Sequence, residues 1–341
     1  MAAEPAPTVL ASLNAALTDM MAADDRVVVI GEDLLDPYGG AFKVTRGLST
    51  KYPGRVFTTP ISEGAIVGLS IGMAIRGRRP IAEIMFGDFT MLAADQLVNS
   101  AAKFNWMFDS KVTVPLVVRT PMGGRRGYGP THSQSLEKHL LGVPGLWVVA
   151  PHVLGDPGGL LKQAAIDWDH PVLFIENKTD YGRRLEAMPH GLRREVLSDA
   201  EHPFPTTLLA DGAAPPDALV LCYGGAAPHC LDAVRRLRDD EGLRVDLVVF
   251  TQLSPIPRSH LERVADSRRP SVCVYVEEGT REAGWGAEMV AQVAEIAGTL
   301  GLRLAHQRVA AKNEPIASSR ELEQANLPQS DAVVSAVLAC L

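Results

Sequence analysis

At 341 residues, 46% of them apolar and 21% charged, the chain is longer than a typical domain of roughly 100 to 200 residues and too apolar for disorder, so two packed domains are expected. A formal charge of −7 excludes a general nucleic-acid surface. The four cysteines, Cys222, Cys230, Cys273 and Cys340, form no C-x-x-C pair, so they suggest neither a zinc site nor a disulfide framework and fit a reducing cytoplasm.

The N-terminal stretch MAAEPAPTVLASLNAAL carries an acid where a signal peptide needs a basic region. No apolar run approaches the roughly 18 residues of a membrane span, so a soluble, cytoplasmic chain without membrane contact is expected. Short β-branched runs then alternate with helical patterns: RVVVIGED, EGAIVGLSIGMAIRG, RPIAEIMF, MLAADQLVNSAAKFNW, VPLVVRTP, LWVVAP, GGLLKQAAIDW and PVLFIEN. This alternation predicts an α/β fold with βαβ units around a mostly parallel sheet. Charges, Pro and Gly interrupt it over residues 178–216. A second alternation follows, with strands in DALVLCYGG, RVDLVVF, SVCVYVEEG and LRLAHQRVA and helices from about Pro228 to Asp239 and Gly284 to Thr299. The expected layout is a first domain over 1–190, a linker with a short hairpin over 191–216, and a smaller α/β domain over 217–341.

Candidate chemistry starts at TTPISEGAIVGLSIGMAIRG, where Glu63 opens an otherwise uncharged helical segment. Ser62 suits a helix N-cap, and a first-turn carboxylate gains from the helix dipole, so a purely structural reading exists. Against it, Ile61, Ala65, Ile66 and Leu69 offer no cation and describe an apolar setting, which suits a carboxyl that holds or relays a proton. His132 lies in GYGPTHSQSLE after a Gly-rich loop, with Thr131 and Gln134 at capping-box spacing for a helix start. The loop MGGRRGYG lacks the ending of a P-loop and reads as mobile or ligand-facing. Asp95, Asn99 and Lys103 form a polar stripe on one helix face, Phe86 and Phe89 read as core, and Glu277 and Glu278 read as a solvated or functional carboxylate pair at a strand end.

Together these stretches resemble the beta subunit of the thiamine-diphosphate-dependent decarboxylating component of 2-oxo acid dehydrogenase complexes, of the pyruvate, branched-chain and acetoin type. The resemblance runs over nearly the whole chain, from VVVIGEDLLDPYGGAFKVTRGL through TTPISEGAIVGLSIGMAIRGRRPIAEIMFGDFTMLAADQLVNSAAK and GPTHSQSLE to VEEGTREAGWGAEM. It implies a pyrimidine-binding domain followed by a transketolase C-terminal-like domain. In this family the glutamate of the PISE motif faces the aminopyrimidine ring and shifts it towards its imino tautomer, which assigns that catalytic role to Glu63. Ile61, Met85 and Phe89 would line the ring's pocket, and His132 would stand at the substrate end, donating to the adduct or steering protons during acyl transfer.

Thiamine diphosphate enzymes usually hold Mg²⁺ through a Gly-Asp-Gly motif, which occurs nowhere here; Gly87-Asp88 is followed by Phe and Gly155-Asp156 by Pro. The resemblance therefore implies no metal ligands in this chain, with diphosphate and Mg²⁺ held by an alpha subunit in an α2β2 heterotetramer. The acceptor would be a lipoyl acyltransferase or a carrier protein. NWMFDSKVT (105–113), KTDYGRR (178–184) and NEPIASS depart from the family pattern. These departures keep open a transketolase-like half-enzyme that moves a two-carbon unit from a 2-oxo acid or ketose to a carrier protein or other acceptor. A non-catalytic paralogue is the third reading, disfavoured by Glu63 and His132.

Overall fold

In a computed structural model, which describes residues 5–187 and 190–341, the chain divides into two compact units. One takes the residues up to Met122 together with His139–Leu185, the other Gly123–Lys138 together with Glu186–Leu341. Residues 1–4, and residues 188–189 just before the expected domain end at 190, lie outside the described residues.

The strands of the first unit are β1 (Val27–Gly31), β2 (Val56–Thr58), β3 (Arg79–Glu83), β4 (Val117–Met122), β5 (Trp147–Val149) and β6 (Val172–Asn177). They run parallel in the order β5-β6-β4-β3-β1-β2. All five residues of β1 and all six of β4 are buried, as the continuous β-branched runs require of a sheet covered on both faces. The helix Val9–Ala23 is capped by Thr8, whose hydroxyl accepts from the Ala11 N–H at 3.1 Å. It buries Val9, Leu13, Leu17, Met20 and Met21, each worth roughly 1.5 to 3 kcal/mol. The segment expected as one helix from Met91 to Trp106 is irregular: a 3₁₀ stretch over Gly87–Ala93 and a π-helical turn over Gln96–Ala101.

The second unit holds β7 (Arg193–Leu197), β8 (Thr206–Ala210), β9 (Ala218–Tyr223), β10 (Val245–Phe250), the short β11 (Gln252–Ser254), β12 (Val272–Thr280) and β13 (Ala305–Ala311). Its sheet runs β13-β12-β9-β10-β8-β7, parallel from β13 to β10 and antiparallel through β8 and β7. Both predicted helices are present, at Ala227–Asp239 and Trp285–Leu300, the second closed by Gly301 at φ 65°. Trp285 is buried edge-to-face against Tyr223 and Phe250.

The linker expected over 191–216 needs correction. Its hairpin exists as β7–β8, but β8 pairs with β10 through Leu209 opposite Leu247 and Thr207 opposite Val249, so the segment is part of the second sheet. The charges that read as a linker belong to the edge strand β7, where Arg193, Arg194 and Val196 are exposed, while every residue of β8 is buried.

Candidate functional site

Ligands of parallel α/β sheets bind beyond the carboxyl ends of the strands. In the first unit β1 runs into Glu32, β2 leads through Pro60 and Ser62 to Glu63, and β3 leads into Met85, Phe86 and Phe89. Glu63 is the first residue of the helix Glu63–Ile75 and is only 5% exposed. Ser62 occupies the N-cap, but its side chain makes no capping bond. A Cβ on Gly64 would stand 3.3 Å from the Leu92 carbonyl, and one on Gly68 3.3 Å from Gln96 Oε1, so these glycines let the helix lie close against residues 92–96. The apolar residues around Glu63 divide: Ile66 is buried, whereas Ile61 is 83% exposed and Ala65 and Leu69 also face outward. Met85 and Phe89 are half-buried, with Phe89 edge-to-face on Phe86.

Glu32 escaped sequence reasoning. It is 5% exposed, and among the described residues its Oε1 has no hydrogen-bond partner. Burial pushes its carboxyl up, the charges of Glu63, Asp33 and Glu83 add to this, and the Ser62 backbone N–H opposes it. The available signal was positional: an acid directly after a buried β-branched strand. Beside it lies a buried row, Glu83 on β3, Arg119 on β4 and Glu176 on β6. Arg119 donates to both carboxylates, with its Nε 2.9 Å from Glu176 Oε1, and Tyr181 donates to Glu176. Burial opposes the charge of Arg119, and the two carboxylates more than offset it, so the guanidinium stays charged.

The altered loops behave differently from each other. Lys178 is fully buried with its Nζ 5.1 Å from the Phe86 ring centre, and Tyr181 is buried too. In the 105–113 stretch, by contrast, Trp106 is 88% exposed and Met107 and Phe108 are exposed beside it. A cavity of about 430 Å³ lies there, lined by Trp106, Met107, Val114, Pro144 and His170 among others. The polar stripe is as expected, Asn99 donating to Asp95 at 2.8 Å and Lys103 to Asn99 at 3.0 Å.

His132 belongs to the second unit, and Glu63 to the first. The helix start expected at Thr131 is not formed: the Gln134 carbonyl accepts from the Gly123 N–H at 3.3 Å instead of a helical partner, and only a short 3₁₀ turn, Glu137–His139, follows. The Thr131 hydroxyl lies 3.0 Å from His132 Nδ1, and the ring is half-buried. Glu277 and Glu278, read as solvated or functional, are both buried. Glu277 accepts from the Gly286 N–H at 3.0 Å, Glu278 from the Gly124 N–H at 2.7 Å, and Tyr223 donates to the buried Glu137. Burial pushes Glu277 up to about 7, against the pull of the Gly286 amide and with the help of Glu137. Burial also pushes Glu137 up, opposed by the Tyr223 hydroxyl.

An aminopyrimidine ring needs a carboxyl withdrawn from water and apolar walls. Glu63 meets the first need and the half-buried Met85 and Phe89 the second, while the unbonded Glu32 Oε1 leaves acceptor capacity beside them. The residues present fit the pyrimidine half of thiamine diphosphate. Among the described residues, no group of three or more His, Cys, Asp or Glu side chains could hold a metal ion. Among those residues, too, no helix is long and apolar enough to cross a membrane.

Residues 6–184 match the family described as Transketolase, pyrimidine binding domain, and residues 213–333 match Transketolase, C-terminal domain. The chain is 36% identical over 330 residues to the mitochondrial pyruvate dehydrogenase E1 component subunit beta-1 of Arabidopsis thaliana, covering 96% of this chain and 88% of that protein. It is 36% identical over 331 residues to the corresponding mitochondrial beta subunit of Caenorhabditis elegans, covering 97% and 91%. To the acetoin:2,6-dichlorophenolindophenol oxidoreductase subunit beta of Cupriavidus necator it is 34% identical over 335 residues, covering 95% and 94%. A solved structure described as a split gene transketolase, inactive beta4 tetramer, superposes with a TM-score of 0.73 at 20% identity over 98% of each chain, which shows the shared fold.

Proposed function

The chain belongs to the family of beta subunits of the pyruvate dehydrogenase E1 component and of acetoin oxidoreductase, and from that premise we propose that it is the beta subunit of a heteromeric 2-oxo acid dehydrogenase that decarboxylates a 2-oxo acid and passes the acyl group to a lipoyl carrier. The observation that carries this reading is Glu63, a buried carboxylate at the start of a helix beyond the carboxyl ends of a parallel sheet, beside half-buried apolar walls. When bound, thiamine diphosphate supplies a stabilised carbanion that serves as nucleophile and electron sink. Glu63 would hold and return a proton at the pyrimidine ring nitrogen, where exclusion of water strengthens the bond. Ile61, Met85 and Phe89 would fix the ring by packing, and His132 would exchange a proton at the substrate end.

An alpha-type partner completes the proposal and would hold the diphosphate and Mg²⁺ in an α2β2 assembly. The outward-facing Ile61, Leu69, Met91 and Leu92 support such a partner, because exposed apolar clusters mark interaction surfaces. A reducing compartment suits the four free thiols. Calorimetry on the chain alone and with its alpha partner tests the half-site: Mg²⁺-dependent micromolar binding of thiamine diphosphate is expected only with the partner, and the same affinity in the chain alone overturns it. The assembled protein is then offered 2-oxo acids with a lipoyl domain. Carbon dioxide release and acylation of that domain are expected, whereas turnover of ketoses alone moves the assignment to two-carbon transfer.

A further inference from the structure

The loop that carries His132 is held in an unusual backbone shape. Gly123, Arg125, Gly127 and Gly129 all have φ between 70° and 89°, so alternate residues over seven positions adopt the left-handed region. Arg125 is the costly member, because an L side chain resists that region. Backbone of this kind turns successive N–H groups to one side and makes an anion-binding concavity. Sequence reasoning sees such a Gly-rich loop as mobile or ligand-facing. Here the concavity is filled from within the same unit, because the helix Arg320–Asn326 sends in the carboxylate of Glu323, which is 0% exposed.

Glu323 Oε1 accepts from the Arg125 N–H at 2.7 Å and Oε2 from the Gly127 N–H at 2.9 Å, so both oxygens are engaged by the loop backbone. Next to them Glu278 accepts from the Gly124 N–H, and the Arg125 guanidinium donates to the Pro328 carbonyl at 2.6 Å. The contact is tight: a Cβ on Gly124 would stand 2.7 Å from Leu327 Cδ1 and 2.9 Å from Glu323 Oε1, and one on Gly129 2.6 Å from Ser318 Oγ. The base of the loop, Gly123, Gly124 and Ser133, is buried, while Arg126, Tyr128 and Thr131 at its tip are exposed. His132 hangs on that tip, its N–H donating to the Gly129 carbonyl at 3.3 Å.

We propose that Glu323 and Glu278 are positioning residues for His132, locking the loop backbone so that the imidazole stands at one place when the acyl group is transferred. Two carboxylates with aligned acceptors replace the entropy a free Gly-rich loop would keep, and strain of this kind persists only where surroundings over-determine it. The proposal rests on the reading of His132 as the substrate-end residue.

A double-mutant cycle on the chain assembled with its alpha partner tests it. Glu323→Gln keeps the volume but has one acceptor oxygen, so one loop N–H faces an amide NH₂. Amide hydrogen exchange over residues 123–129 of this chain should rise at least about tenfold, and kcat for acyl transfer should fall by about 10- to 100-fold, the scale of an ångström of misplacement. Cofactor affinity and thiazolium hydrogen exchange should stay within about twofold, and Glu323→Asp, with both oxygens kept, should recover part of the loss. On a His132→Ala background Glu323→Gln should add little. Full activity of Glu323→Gln beside a slow His132→Ala overturns the positioning role and leaves His132 in place, as do losses that multiply. Normal turnover by His132→Ala overturns the reading of His132, and the positioning role with it. Glu278→Gln runs through the same cycle if Glu323→Gln does not assemble.

Discussion

Replacing Glu277 by glutamine should make the protein more stable at alkaline pH while leaving it nearly unchanged at acidic pH. Glu277 stands at the buried end of β12, where burial pushes its carboxyl up to about 7 from the ordinary 4.5. Below pH 4.5 both folded and unfolded chains carry the proton, and the stability it contributes is fully present. Between 4.5 and about 7 the unfolded chain has released the proton and the folded chain keeps it, so stability falls by about 1.4 kcal/mol per pH unit. Above that window the loss is complete at about 3 kcal/mol. The amide in the Glu277→Gln variant would stay neutral and still offers one oxygen to the Gly286 N–H, so it imitates the protonated acid. Urea unfolding of the purified chain from pH 4 to 8 should give curves that meet near pH 4 and part by about 3 kcal/mol at pH 8. Glu137 faces the same site and contributes a slope of the same sign, while Arg308 acts against it, so the comparison is between wild type and variant rather than with a flat line. Parallel curves across the range, or a variant less stable at pH 8, would refute a retained proton.

Glu63→Gln, assembled with the alpha partner, should slow deuterium exchange at the thiazolium carbon by on the order of 10²-fold while assembly stays intact; wild-type exchange returns Glu63 to a helix-start role. Arg119→Met strands Glu83 and Glu176 in a buried row and should cost about 3 to 5 kcal/mol in chemical unfolding, most of it recovered when both acids are also changed to Gln.

Strands β1, β3, β4, β5 and β6 of the first unit, β9, β10, β12 and β13 of the second, and the two main helices of the second unit were legible because parallel strands write themselves as β-branched runs, whereas β2, β7 and β8 were not. What misled was composition at edges. Strand β7 exposes Arg193, Arg194 and Val196, so its residues look like a linker although its partner β8 is wholly buried. The 87–101 segment has helical apolar spacing, yet its 3₁₀ and π-helical turns depart from that period. Glu63 stood out because it breaks an uncharged segment, and Glu32 did not, because an acid after a strand also suits a solvated turn. Glu323 had no local signal at all: SSRELEQAN reads as an exposed charged helix, and the amides that occupy its oxygens lie some 200 positions earlier in the chain.

The buried carboxylates of this chain spend their oxygens differently. Glu323 gives both to backbone amides and so has little left for a reacting group. Glu32 instead keeps an unbonded oxygen while burial and the neighbouring charge of Glu63 resist its ionisation. A buried acid that also feels the charge of a second acid, beyond the strand ends of a parallel sheet, is costly to ionise, and this is the position of Glu32 beside Glu63. The Glu83–Arg119–Glu176 row nearby shows the alternative, because there the charges are neutralised within the sheet. On the proposed reading, proton handling in the first unit would fall to Glu63 with Glu32 beside it, while the ion-pair row ties together the paired strands β3, β4 and β6.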